Sequence, residues 1–352
     1  MNLYFTIPFK EEVMTWEEVR KNAREKLKGF CRVCPVCNGV ACAGEVPGMG
    51  GLGTGSAFKA NLEALNRYRF NLTAIHEVKD PSTKTELFGQ TLALPVMAAP
   101  ITGTTYNMGG ALTEDVYTEE VIAGSLMAGT IGWTGDGADL LMYSSGINAI
   151  KKFEGKGVPI IKPRAQEEII KRIRMAEEAG ALAVGIDIDG AGLITMALKG
   201  QPVSPKTTKE IEELVKATNL PFVLKGIMTV KDAEIAYNCG VSCIVVSNHG
   251  GRVLDHTPGV ADVLPEITSR FKGKMTIIAD GGVRSGADVL KLLALGADVV
   301  LIGRPVVIAV FGGMREGLKL YFDKIKNELV QTMLLTGVAS VKNVPANILV
   351  KI

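Results

Sequence analysis

The run Ser247-Asn248-His249-Gly250-Gly251-Arg252-Val253-Leu254-Asp255 sets a histidine and an arginine three residues apart, directly after the apolar stretch Cys243–Val246. A histidine titrates near neutral pH and can take a proton, and the planar fork of an arginine can clamp a carboxylate. One short loop can thus bind and activate a small acid. Two more segments follow in order: Ala279-Asp280-Gly281-Gly282-Val283-Arg284-Ser285-Gly286, and Leu301-Ile302-Gly303-Arg304-Pro305. Glycines let backbone N–H groups approach an anion closely, and a following helix adds its positive end. Two such turns side by side make a phosphate cradle. A separate constellation, Cys31-x-x-Cys34-x-x-Cys37-x4-Cys42, places four thiols at spacings that can converge on one centre, as iron–sulfur clusters and structural zinc require. Packed or site-lining reduced thiols, or a disulfide, are the other readings of those cysteines.

These residues need elements to hold them, and the middle of the chain repeats a suitable unit. Helical stripes end in Gly180, Gly240 and Gly296, and each is followed after a short link by an apolar run. Glycine at a helix end just before a β-rich run marks an α-to-β turn. Helix starts show as Thr207 with Glu210, Thr229 before Asp232, and Ser285 before Asp288. Alternating units of this kind imply a parallel sheet. Strands are expected at 94–98, 127–132, 158–162, 184–188, 222–225, 243–246, 275–279 and 299–302, enough to close a (β/α)8 TIM barrel. His249, Arg252, Lys225, Asp187, Asp280, Arg284, Gly303 and Arg304 then all fall at strand C-terminal ends, where barrel active sites lie.

Composition agrees with one large core. The 352 residues are 47% hydrophobic and include 40 glycines, and the mean hydropathy is +0.22. No Pro/Ser-rich linker or charge run divides them, so the expectation is a barrel over 67–352 with a cysteine-bearing N-terminal extension, 1–66, packed on it. A net charge of +2 with scattered Lys and Arg gives no footprint for nucleic acid or an acidic membrane surface. No stretch is long enough to span a membrane, and Met1-Asn2-Leu3-Tyr4-Phe5 lacks the order of a secretory signal, so a cytoplasmic enzyme is expected.

The motifs carried by His249, Arg252, Asp280, Arg284 and Arg304 resemble those of the FMN-dependent L-2-hydroxy-acid oxidases and dehydrogenases, such as glycolate and lactate oxidases, over roughly 67–304. The resemblance implies FMN held by Ser247, Asp280, Gly281, Gly282, Arg284, Gly303 and Arg304. Leu94-Pro-Val-Met-Ala-Ala-Pro100 resembles the first strand, whose end, Ala98, Ala99 and Pro100, passes beside the flavin; Thr134 could also touch it. Lys225 would lie near the ring, and Asp187 would be the aspartate that hydrogen-bonds the histidine and tunes its basicity. His249 would serve as base and Arg252 as carboxylate clamp, turning a 2-hydroxy acid into a 2-oxo acid and delivering electrons to oxygen, a quinone or a redox protein. The resemblance also implies a homotetramer or homo-octamer.

Departures from that pattern concern the substrate. The family's N-terminal tyrosine, third-strand tyrosine and second substrate arginine have no counterpart here, and Lys162 or Arg164 either replaces the missing positive charge or faces solvent. A similar FMN barrel, the type 2 isopentenyl diphosphate isomerase, is a rival reading. An electron-transfer flavoprotein subunit is another.

Overall fold

In the computed structural model the described residues are 14–352. Residues 1–13, the start of the expected extension and the stretch read for a secretory signal, lie outside them. Eight parallel strands close a barrel in sequential order: β1 Val96–Ala98, β2 Gly132–Thr134, β3 Gly157–Ile161, β4 Val184–Asp187, β5 Phe222–Ile227, β6 Cys243–Val246, β7 Thr276–Ala279 and β8 Val299–Ile302. β8 completes the ring by pairing Val300 with Val96 and Ile302 with Ala98. The near-continuous apolar runs are explained by burial on both faces. Met97, Trp133, Ile160, Val245 and Leu301 fill the barrel, while Ala98, Ile161, Ile186 and Ile244 pack outward against the helices. Each fully buried aliphatic contributes about 1.5–3 kcal/mol.

One strand lies elsewhere than expected. Residues 127–132 do not form β2, because helix Glu114–Met127 runs through Met127. The chain then turns through Gly129 at φ +74° and enters the barrel at Gly132. The apolar character of this stretch belongs to a helix end followed by a short strand. The helix starts are as expected: Thr207 with Glu210 and Ser285 with Asp288 form reciprocal capping boxes, and the Thr229 side chain accepts from the Asp232 N–H. Such caps stabilise by about 1 kcal/mol each.

Helix Trp16–Lys26 lies across the long helix Arg304–Leu334, which is kinked at Gly313 and Met314. The crossing is close at Gly312, where any Cβ would collide with the Val19 carbonyl. Asn22 donates to the Gly312 carbonyl at 3.3 Å, and Trp16 packs on Tyr321 with ring centroids 5.0 Å apart. Helix Ser56–Asn66 lies under the 247–255 loop, and strand Tyr68–Phe70 pairs with Leu349–Lys351. The His76 ring bridges the Leu334 carbonyl at 2.8 Å and the Val78 N–H at 3.2 Å. No helix among the described residues is long and apolar enough to cross a membrane.

Candidate active site at the carboxyl end of the barrel

A cleft of about 1110 Å³ opens where the strands end, lined among others by Lys162, Lys225, His249, Arg252, Asp280 and Arg304. Its floor follows from strand alternation. Residues that continue the inward-facing series of β3, β4 and β5 are Lys162, Asp187 and Lys225, so three charged side chains meet above the apolar barrel interior.

His249 follows β6 at φ +58°, a left-handed conformation uncommon for a residue with a side chain. Its backbone N–H donates to Ser247 Oγ at 3.0 Å, and its Nδ1 lies 3.0 Å from Asp189 Oδ1. A carboxylate can only accept, so Nδ1 carries the proton and Nε2 keeps a free lone pair. Burial pushes the imidazolium of His249 below the ordinary histidine value, with Lys225 and Lys162 adding to the effect and Asp189 opposing it. For Asp189, burial alone would raise the carboxyl, but His249, Lys225 and Lys162 hold it below the ordinary range. The outcome is a neutral imidazole beside an ionised carboxylate.

The partner of His249 is therefore Asp189 and not Asp187. Asp187 ends β4 and ion-pairs with Lys162, while its Oδ2 stays 3.9 Å from His249 Nε2. A single 3-10 turn, Ile188–Gly192, carries Asp189 to the imidazole. The two aspartates are two residues apart and share a strand parity, so a sequence argument that prolongs the strand to 188 selects the nearer one.

Arg164 is also placed differently from expectation. It is buried outside the cleft lining, with Nε donating to Asp136 Oδ2 at 2.8 Å, one NH donating to Gln201 at 3.0 Å and another to the Gly137 carbonyl. Neither it nor Lys162 faces solvent. Of the residues read as touching flavin, Ala99, Pro100, Asp280, Gly281, Gly282, Arg284, Gly303 and Arg304 line the cleft; Ala98, Thr134 and Ser247 do not. Ala98 and Thr134 alternate with Met97 and Trp133, which point inward, so they face the helix layer, Thr134 against Gly146. Ser247 lies beneath, accepting from Lys225 Nζ at 3.1 Å and donating to Asp280 Oδ2 at 2.8 Å. His256 is exposed, and Trp133 is a packing residue whose Nε1 meets Met97 Sδ at 3.3 Å.

Three arginines crowd the opposite wall. Arg252 donates to the carbonyls of Gly48 and Gly50 at 2.6 and 3.1 Å and to Asn107 Oδ1 at 3.0 Å. Arg304 donates to Met49, Gly250 and Gly50 carbonyls at 2.7, 3.1 and 2.9 Å and stacks on Phe58 at 4.0 Å. Arg284 reaches the Val283 carbonyl at 2.8 Å. None has a carboxylate partner among the described residues. Burial, first of all, lowers Arg252 to about 10 and Arg304 to about 9, the latter with help from Arg252. Gly250 sits at φ +64°, in the left-handed region that favours glycine. Asp255 closes the loop by accepting from Thr54 N and Oγ1 at 2.6 and 2.8 Å, and these bonds hold its carboxyl well below the usual range despite an opposing desolvation effect.

The wall suits FMN on its own chemistry. Asp280 Oδ1 and Arg284 Nε are buried without any hydrogen-bond partner, and both residues line the cleft. A ribityl hydroxyl and a phosphate oxygen would satisfy them, beside glycines 281, 282 and 303 and the start of the Arg304–Leu334 helix. Asn107, Tyr106, Met49 and Asp189 are not marked as site residues by any local signal, because long-range packing brings each of them to the cleft or to His249.

Comparison with known proteins gives the family and the fold. The family model described as FMN-dependent dehydrogenase matches residues 48–196 and 175–351. A peroxisomal (S)-2-hydroxyacid oxidase of Arabidopsis thaliana is 30% identical over 322 residues, spanning 82% of this chain and 86% of that protein. An L-lactate oxidase of Lactobacillus jensenii is 29% identical over 317 residues, spanning 82% and 76%. The crystal structure of a mandelate oxidase superposes with a TM-score of 0.78 at 26% identity, covering 93% of this chain and 95% of that one. With barrel, cleft and matched motifs together, the chain belongs to the FMN-dependent dehydrogenase family.

Proposed function

We propose that this protein oxidises a small L-2-hydroxy acid to its 2-oxo acid, with His249 taking the hydroxyl proton and Arg252 holding the carboxylate. The observation that carries this reading is the His249–Asp189 pair, which leaves Nε2 unprotonated at the cleft. As Nε2 takes the proton, Asp189 stabilises the imidazolium that forms. Arg252 has five N–H donors and gives three hydrogen bonds to neutral oxygens, so its charge and two donors remain for an anion. FMN, when bound, supplies the acceptor for the two electrons. Burial alone would lower Lys225, but Asp189, Asp280 and Asp187 raise it, so it stays protonated as a fixed positive charge beside the ring site. Lys162, tied to Asp187, adds a second. Asp280, Gly281, Gly282, Arg284, Gly303 and Arg304 bind ribityl and phosphate.

Met49, Tyr106, Met142 and Leu193 line the same cleft and support an acid with an apolar side chain. Six cysteines, none in a disulfide, support a reducing, cytoplasmic setting. The test is anaerobic mixing of the FMN-loaded protein with a panel of L-2-hydroxy acids while the flavin absorbance is followed. One or more acids should bleach it, and His249→Ala should slow bleaching about 10²–10⁴-fold. If no acid bleaches a flavin that dithionite reduces readily, the reading fails.

A further inference from the structure

The four clustered cysteines take no part in the chemistry above, yet they are not scattered. Cys31, Cys34, Cys37 and Cys42 line one small cavity, otherwise largely apolar, together with Val33, Ala41, Met49, Ile308 and Arg304. All four are free thiols. Among the described residues no three cysteine sulfurs lie within 4.8 Å of one another. A single tetrahedral zinc ion, with Zn–S near 2.3 Å, would hold its sulfurs about 3.8 Å apart. A cubane cluster holds them farther apart, because each thiolate binds a different iron.

The surroundings suit an anionic cluster with sulfur ligands. Cys31 Sγ accepts from the Val33 N–H at 3.4 Å, and Arg284 donates to Cys37 Sγ at 3.4 Å and to the Cys37 carbonyl at 3.3 Å. Hydrogen bonds to sulfur of this kind stabilise such clusters and set their potentials. The loop is held from behind: Arg20 donates to the carbonyls of Val33 and Cys34 at 3.2 and 2.8 Å, and Arg24 to those of Arg32 and Val33 at 3.3 and 3.1 Å. Val33, a buried β-branched residue, is kept at φ +46°, a conformation such residues rarely adopt.

We propose that Cys31, Cys34, Cys37 and Cys42 bind a cubane iron–sulfur cluster. Met49 and Arg304 line both this cavity and the flavin cleft, so the cluster lies one side-chain layer from the FMN site, a one-electron carrier beside a two-electron cofactor. The proposal does not depend on the substrate, because iron and sulfide are counted with no acid present.

The experiment is to purify the FMN-loaded protein without oxygen, reconstitute it with ferric iron, sulfide and a dithiol reductant, desalt it, and assay metals, acid-labile sulfide and the low-temperature electron paramagnetic resonance spectrum after dithionite. About four irons and four sulfides per chain are expected, with a reduced-cluster signal. Cys34→Ser should lose most of the iron and the signal while retaining FMN, and Cys239→Ser, in the core, should keep both. Stoichiometric zinc without sulfide would overturn the proposal in favour of a single-ion site. Retention of no metal, with all four thiols open to a thiol reagent, would overturn it in favour of plain thiols. The iron and sulfide count on the unmodified chain decides even if Cys34→Ser fails to fold.

Discussion

On the β3–β4 side of the cleft every buried cation lies against a carboxylate: Lys162 on Asp187, Arg164 on Asp136, and Arg172 on Asp136 and Glu168, three cations to three carboxylates. On the side built by the 247–255 loop and the turns after β7 and β8, Arg252, Arg284 and Arg304 meet carbonyls, an amide, a sulfur and an aromatic face instead. The first arrangement is neutral without any ligand, and its geometry is closed. The second concentrates positive charge in a desolvated wall that only an anion can relieve. The difference separates residues that hold the barrel rim in shape from residues whose charge is left free for the anions of the proposed function.

The largest effect is expected where the two sides meet. Asp189→Asn should lower the rate of flavin reduction by about 10³–10⁴-fold, since the amide cannot stabilise an imidazolium and disturbs the tautomer. Asp187→Asn should have a much smaller effect, and stopped-flow comparison of the two would reverse the assignment if their order were reversed.

Arg164→Met tests the neutral side. It leaves Asp136 facing one cation fewer, and removing one partner of a buried pair costs about 3–5 kcal/mol. The fall should be seen in denaturant unfolding. Arg284→Met should instead leave stability of the FMN-free protein nearly unchanged and weaken FMN, measured by fluorescence titration. Arg252→Met should reduce kcat/KM about 10- to 150-fold, the range expected for losing a charged hydrogen bond of ~1.5–3 kcal/mol.

The pH dependence follows from His249. Its folded value is depressed below 6.5, chiefly by burial. The neutral base therefore persists as pH falls past 6.5, and the acid limb of kcat/KM should bend below that value. The same shift has a stability consequence. Between 6.5 and the depressed folded value the unfolded chain binds the proton and the folded chain does not, so stability contributed here is lost as pH falls through that window. An acid limb above 6.5 would contradict the burial argument. The smallest effect is at a helix start: Ser285→Ala removes a capping box and should cost about 1 kcal/mol, read as a modest drop in Tm.

The residues of the 247–255 loop, the two glycine turns and the repeated α-to-β junctions were legible because each is a local signal: turn chemistry, capping and apolar runs act within a few residues. The barrel, its wall of arginines and glycine turns and the position of His249 follow from such signals. Three features were decided only by tertiary structure. Asp189 rather than Asp187 reaches His249 because β4 ends one residue early and a 3-10 turn follows. Arg164 is withdrawn from the cleft because Asp136, 28 positions back along the chain, lies beneath it. The four cysteines line one cavity beside Arg304 because helix Trp16–Lys26 is fixed across a helix nearly three hundred residues later, at Gly312. Each depends on long-range packing that sets side-chain direction and ion pairing, for which no local propensity stands in.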